Sequence, residues 1–193
     1  MPRNHRLLTT DFFARPAPDV APDLLGKCLI RRTVDKEIVA IITEAEAYEG
    51  IEDLACHASK GRTRRTDVMF GPPGRFYVYL IYGMHQMLNV VTNSEESPSA
   101  VLIRSVHLVS GPGRLTRALG IDTALNGLPA MPESGLWFED HGITVSSTDI
   151  ELSRRIGVDY AGPIWSAMPW RFTLAPDFIA ELDQADPLVP DQW

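Results

Sequence analysis

Two carboxylates and a phenol ring recur at every second position in Thr43-Glu44-Ala45-Glu46-Ala47-Tyr48. Strand alternation puts Glu44, Glu46 and Tyr48 on one face. There a carboxylate can activate water while a neighbouring ring stacks on a flat substrate. The same spacing also suits an exposed face carrying a surface ion pair, and the local pattern leaves both readings open. Arg104 interrupts the apolar run Val101-Leu102-Ile103. A guanidinium buried there needs an acid or a ligand; otherwise it is an edge residue reaching for water.

Three of the five tyrosines fall in Tyr77-Val78-Tyr79-Leu80-Ile81-Tyr82. Alternation separates Tyr77 and Tyr79 from Phe76, Val78, Leu80 and Tyr82. An aromatic strand is ordinarily sheet core, and Tyr77 fits that reading. Tyr82 ends its strand at Gly83, beside Met84, where a large ring suits a wedge between base pairs better than a core. His57, in Ala55-Cys56-His57-Ala58, reads alone as a structural histidine. The Cys56-His57 pair has no second ligand pair at a suitable spacing, so no metal and no other cofactor is expected.

Just before the tyrosines come Lys60, Arg62, Arg64 and Arg65. Between Leu54 and Asn89 there are five basic residues and one acid, although the whole chain has a net charge of −7. From Met131 to Trp193 there are eleven acids and three arginines. The local field, rather than the total charge, decides where a polyanion docks. Cations leading into stackable rings suit a nucleic acid.

These groups need a scaffold. Thr9-Thr10-Asp11 offers a helix start before Phe12-Phe13, and a short helix is expected from Asp19 to Leu25, capped by Gly26. A hairpin follows: strand Lys27 to Arg32, a turn at Val34 to Glu37, and strand Ile38 to Ala47. Gly71-Pro72-Pro73-Gly74 launches a strand from Arg75 to Tyr82. Gly83-Met84-His85 then reverses the chain into Met87 to Thr92. Ala100 to Leu108 reads as strand, Gly113 to Leu119 as helix and Arg171 to Leu174 as a late strand. Gly120 to Thr148 reads as loops and short strands, and the acidic tail from Asp177 to Trp193 as a solvated face or frayed end. Consecutive strands predict an α+β class with a mostly antiparallel sheet and peripheral helices, in one domain spanning residues 1–193.

At 45% hydrophobic and 22% charged residues, the composition is that of a globular domain. No apolar run is long enough for a membrane span and no signal peptide is evident, so the expected location is cytoplasmic, nucleoid-associated if bacterial. Cys28 and Cys56, the two cysteines, are too few for a disulfide framework and are expected to be buried thiols.

Several stretches, in order, resemble the alkyladenine (3-methyladenine) DNA glycosylase family of monofunctional base-excision repair enzymes. They are Thr43-Glu44-Ala45-Glu46-Ala47-Tyr48-Glu49-Gly50, Asp53-Leu54-Ala55-Cys56-His57, Met69-Phe70-Gly71-Pro72-Pro73-Gly74 and Tyr77 to Met84, followed by Asn89. Val101-Leu102-Ile103-Arg104, Gly111-Pro112-Gly113-Arg114-Leu115 and Arg155-Ile156-Gly157-Val158 continue the match. The resemblance implies a single domain with a curved antiparallel sheet and a protruding, DNA-inserting hairpin. By it Glu46 is the general base, Arg104 helps hold the attacking water, and the main-chain carbonyl of Ile156 touches that water. Tyr48 lies on one side of the flipped base, with His57 and Tyr79 on the other. The His57 N–H reads the purine edge, and Asn89 crowds guanine's exocyclic amine. Tyr82 fills the gap left in the duplex, with Met84 beside it and Arg62, Arg64 and Arg65 available to the backbone. The implied partners are double-stranded DNA carrying damaged purines and a nucleophilic water, acting on a monomer.

A base must leave the stack before its glycosidic bond can be reached. A cationic alkylpurine leaves as a neutral base without an acid, so one carboxylate suffices, and no lysine is placed for a lyase step. Such a cation also gains a cation–π contribution between rings. Two other classes fit the same residues: a non-catalytic module for damaged or single-stranded DNA, and a hydrolase of free nucleosides. The second has no use for Tyr82 or the arginines.

Overall fold

The structure, a computed structural model, describes residues 5–185. The elements run β1 (Arg6–Leu7), α1 (Thr10–Phe13), α2 (Ala17–Leu24), β2 (Cys28–Arg32) and β3 (Glu37–Glu49). Then come β4 (Phe76–Ile81), β5 (His85–Thr92), β6 (Ser99–Val106), α3 (Pro112–Ala118) and β7 (Leu136–Asp140). The last are β8 (Ile150–Ser153), α4 (Gly162–Trp165), β9 (Arg171–Leu174) and α5 (Pro176–Ala185). The helix expected at Asp19 starts earlier, at Ala17, because Pro18 in a first turn has no N–H to leave unpaired.

The strands form one antiparallel sheet ordered β1-β7-β2-β3-β6-β5-β4, with β9 branching from β3 and β8 pairing with β9. The class is α+β, as expected. β3 organises the sheet. Its first half pairs with β2, from Cys28 opposite Ile41 to Arg32 opposite Glu37. Its second half pairs with β6, and the register shifts on either side of Glu44. Such a bulge bends a strand and re-aims its side chains. Over Glu44–Glu46 β3 also pairs with β9 on its other edge. The two acids therefore sit on doubly paired backbone, which holds them more firmly than a loop could.

The main core lies between the sheet and α2, whose Val20, Ala21 and Leu24 are buried with Phe13, Ile42, Phe76 and Phe138. A smaller cluster of Cys56, Ala58, Met69, Phe70, Tyr77, Val91 and Ala100 packs under Tyr48 and Tyr79. Both cysteines are buried. No helix among the described residues is long and apolar enough to cross a membrane.

β4 and β5 form the expected hairpin, with Tyr77 opposite Asn89 and Ile81 opposite His85. At its tip Tyr82 and Gly83 both take left-handed backbone (φ 51° and 68°), and the Met84 N–H donates to the Ile81 carbonyl at 3.2 Å. Two positive φ angles give the turn that matches strand twist. Tyr82 and Met84 are 85% and 67% exposed. The hairpin is propped just below its turn: Thr116 of α3 donates to the Gln86 carbonyl at 3.0 Å, and the His85 ring lies over Gly113, where a Cβ would come within 3.0 Å of it.

The acidic C-terminal segment differs from its expectation. Residues 176–185 form α5, which buries Leu182 and packs Phe178 and Ile179 against the main core. Asp183 of α5 is 2.8 Å from the buried His107. The part of that expectation beyond residue 185 lies outside the described residues. The region read as loops and short strands contains β7, a fully inserted strand.

Candidate active site

The β3 acids stand in a line of alternating charge. Arg171 on β9 donates to Glu44 Oε1 at 2.6 Å, and Arg104 on β6 donates to the same oxygen at 2.8 Å. Arg104 also reaches Glu46 Oε2 at 3.2 Å. Ser105 donates to Glu44 Oε2 at 2.6 Å. The buried-guanidinium reading of Arg104 therefore holds, and the face is not an exposed one.

Glu46 has three donors: the Tyr48 hydroxyl at 2.8 Å, the Ile156 N–H at 2.8 Å and Arg104. Its exposure is 0%. Burial raises its pKa, and the charge of Arg104 with the Ile156 and Tyr48 hydrogen bonds only partly opposes this. Burial acts the same way on Glu44, but there Ser105, Arg171 and Arg104 prevail and hold the group below the ordinary glutamate value. Two carboxylates two residues apart are thus set to different tasks: Glu44 is a fixed anion that anchors Arg104, and Glu46 is the stronger base.

Above Glu46 opens a cavity of about 500 Å³. Tyr48, His57, Tyr79, Asn89, Arg104 and Ile156 all line it, with Arg65 and Tyr82. Glu46 itself is not among the lining residues; its three donors are. Ile156 touches Glu46 through its amide N–H; the resemblance gives its carbonyl a separate contact, with the attacking water.

The His57 ring meets Tyr79 edge-on at 4.7 Å, and its Nδ1 lies 3.0 Å from the Tyr77 hydroxyl. Burial, reinforced by the charge of Arg65, lowers the His57 pKa to about 4, so the imidazole is neutral at physiological pH. Asn89 is buried and donates to the Tyr77 carbonyl at 3.0 Å.

The expected DNA-facing cations separate. Arg62 is paired with Asp67 and Glu96, each at 2.7 Å. Its charge is spent locally, because Glu96 approaches from outside the window in which the charges were counted. Arg64 is exposed and forms no ion pair among the described residues. Arg65 lies over the Tyr79 ring, 4.8 Å from its centroid. Met84 stays at the hairpin tip, outside the cavity. Cys56 is a buried thiol with its pKa pushed up to about 12 by desolvation, which suits neither a nucleophile nor a thiolate ligand. The described residues that could converge on a metal are instead His5, Glu139 and His141, at the β1–β7 edge.

Asp53 and Arg155 matter more than their sequence context suggests. Arg155 holds both Asp53 oxygens, at 2.5 and 2.9 Å, and donates to the Ala47 carbonyl at 2.8 Å. Its guanidinium lies over Tyr48 at 4.8 Å and over Trp170 at 5.1 Å. Tyr48 is thereby fixed from behind. Both residues occur in the matching stretches, but no local pattern joins them across 102 positions.

An aromatic cavity with a buried carboxylate at its foot and an exposed ring on the adjoining hairpin is a site for a flat ring system and a water molecule. The methylpurine-DNA glycosylase family model matches residues 11–110 and 105–177. The chain is 45% identical over 186 residues to a protein of Methanocella arvoryzae, covering 86% of this chain and 91% of that one. It is 47% identical over 175 residues to one of Myxococcus xanthus, covering 85% and 88%, and 41% identical over 191 residues to one of Streptomyces avermitilis, covering 88% of each. All three carry 3-methyladenine DNA glycosylase in their names. This chain belongs to the methylpurine-DNA glycosylase family.

Proposed function

We propose that the protein is a monofunctional, base-excision repair glycosylase. It turns a damaged purine out of duplex DNA into the aromatic cavity and releases it hydrolytically, leaving an abasic site. The relatives' names point to 3-methyladenine, with 7-methylguanine, ethenoadenine and hypoxanthine as further candidates that a stacked pocket admits. The active unit in this reading is a monomer of one domain.

The observation that carries this reading is Glu46, without exposure and gripped by three groups that line the cavity. Its contact with Arg104, at 3.2 Å, is the longest of the three. Water entering between Arg104 and Glu46 would replace that contact and keep both charges hydrogen-bonded. The water oxygen then bonds to C1′, its proton passes to Glu46, and the glycosidic electron pair leaves with the purine. The developing positive sugar is stabilised by the same carboxylate. Tyr48 and Tyr79 stack the base at roughly 1–3 kcal/mol per contact, and Tyr82 offsets part of the few kcal/mol that unstacking costs. No lysine lines the cavity among the described residues, which supports hydrolysis over a Schiff-base route.

Glu46→Gln tests the assignment. Single-turnover base release from a lesion duplex is expected to disappear while binding of that duplex persists. Near-normal release by the variant would remove Glu46 from the mechanism.

A further inference from the structure

We propose that Arg65 tunes lesion choice by charge, favouring the release of neutral damaged purines over cationic ones; this rests on the glycosylase reading above. The other guanidiniums at or beneath the cavity are neutralised. Arg104 is held by Glu44 and Glu46, and Arg155 by Asp53. Even Arg62, three residues upstream, has two carboxylates. Arg65 is exposed and makes no ion pair among the described residues, yet it lines the cavity and lies 4.8 Å from the centroid of Tyr79. Its charge reaches the other walls, because it disfavours protonation of His57 and opposes the burial that raises Tyr77.

Two consequences follow from that one charge. The electron-rich Tyr79 ring already has a cation against it, so a positively charged purine gains less from that wall and meets a like charge. A neutral purine gains instead. When its glycosidic bond breaks, the electron pair stays on the purine nitrogen as negative charge, while the water oxygen bonds to C1′ and the water proton goes to Glu46. A guanidinium beside the stacked ring stabilises that charge and lessens the need for a proton donor.

The experiment compares wild type, Arg65→Gln and Arg65→Lys in single-turnover base release at saturating enzyme. One duplex carries 7-methylguanine, which is cationic, and one carries hypoxanthine, which is neutral. The ratio of the two rates is the readout, since lost DNA affinity or partial unfolding affects both substrates alike. Arg65→Gln is expected to shift the ratio towards 7-methylguanine by about tenfold, the size of a partly screened charge–charge interaction at this range. Arg65→Lys keeps the charge and is expected to stay close to the wild-type ratio. An unchanged ratio in Arg65→Gln, or an equal shift in Arg65→Lys, would overturn the proposal and leave the glycosylase reading standing. A third duplex carrying 3-methyladenine separates the two readings: wild-type release of that base but of neither of the others would overturn this proposal alone, and release of none of the three would overturn the glycosylase reading with it.

Discussion

Asp53 and Arg155 meet as a two-pronged ion pair with both side chains at 0% exposure, at distances of 2.5 and 2.9 Å. The pair closes the connection after β3 onto the segment before α4. The same guanidinium backs Tyr48, so a structural bond and a cavity-lining ring share one support.

Breaking this pair should damage the fold before it damages the chemistry. Asp53→Asn leaves a buried guanidinium short of its counter-ion and is expected to cost about 3–5 kcal/mol in chemical denaturation. Removing both charges, in Asp53→Asn with Arg155→Met, is expected to recover part of that loss. A double variant no more stable than Asp53→Asn alone would show that Arg155 acts through its carbonyl contacts.

Tyr82 should behave in the opposite way. Its ring is 85% exposed and its backbone is left-handed, so the fold gains little from it. Tyr82→Gly is expected to raise stability slightly, by about 1 kcal/mol from relief of the positive φ. It is expected to weaken capture of lesion-containing duplex by roughly tenfold through the lost stacking contact. Thermal melting and binding titrations separate the two effects.

The arginines of the basic stretch should differ in DNA binding. Arg64→Ala is expected to reduce the slope of log affinity against log salt by about one unit, as for one lost phosphate contact. Arg62→Ala is expected to change it less, because Asp67 and Glu96 already neutralise that residue. Equal slopes for the two variants would place Arg62 on the DNA despite its carboxylates.

His57 gives the fold a pH dependence with a definite sign. Its pKa is near 4 in the folded protein against 6.5 ordinarily, so between those values the unfolded chain binds the extra proton. Its contribution is fully present above pH 6.5 and is lost as pH falls towards 4. His57→Asn is expected to flatten the stability curve in that window when unfolding is followed in denaturant.

Excision should titrate in the same direction for a different reason. In the proposed mechanism the rate depends on the Glu46 carboxylate, whose pKa burial raises above 4.5. Single-turnover rates are expected to fall with decreasing pH through a midpoint above that of an ordinary glutamate. A profile flat down to pH 4.5 would contradict the role given to Glu46.

Much of the site was legible because it obeys short periods. Glu44, Glu46 and Tyr48 share a face by simple alternation, and Tyr77 and Tyr79 do the same. The unread parts had other causes. Leu136, Trp137 and Phe138 are all buried, so β7 shows no alternation to find. Phe178, Ile179 and Leu182 do carry a helical period, but the surrounding acids masked α5. Arg65 over Tyr79, Glu96 on Arg62 and Asp53 with Arg155 are meetings of distant or oblique segments, which only the folded backbone brings about. The complete burial of Glu46 belongs here too: spacing gives a shared face, but not how deep that face lies.

The contact of α3 with the β4–β5 hairpin just below its turn bears on how damage could be found. Anchored at Gln86 and His85, the projecting turn has little freedom to fold back from an intact helix. A stiff probe pressed along a duplex meets resistance wherever bases pair well and yields only where pairing is weak. Search and discrimination would then be one mechanical act, completed before any group in the cavity touches the base.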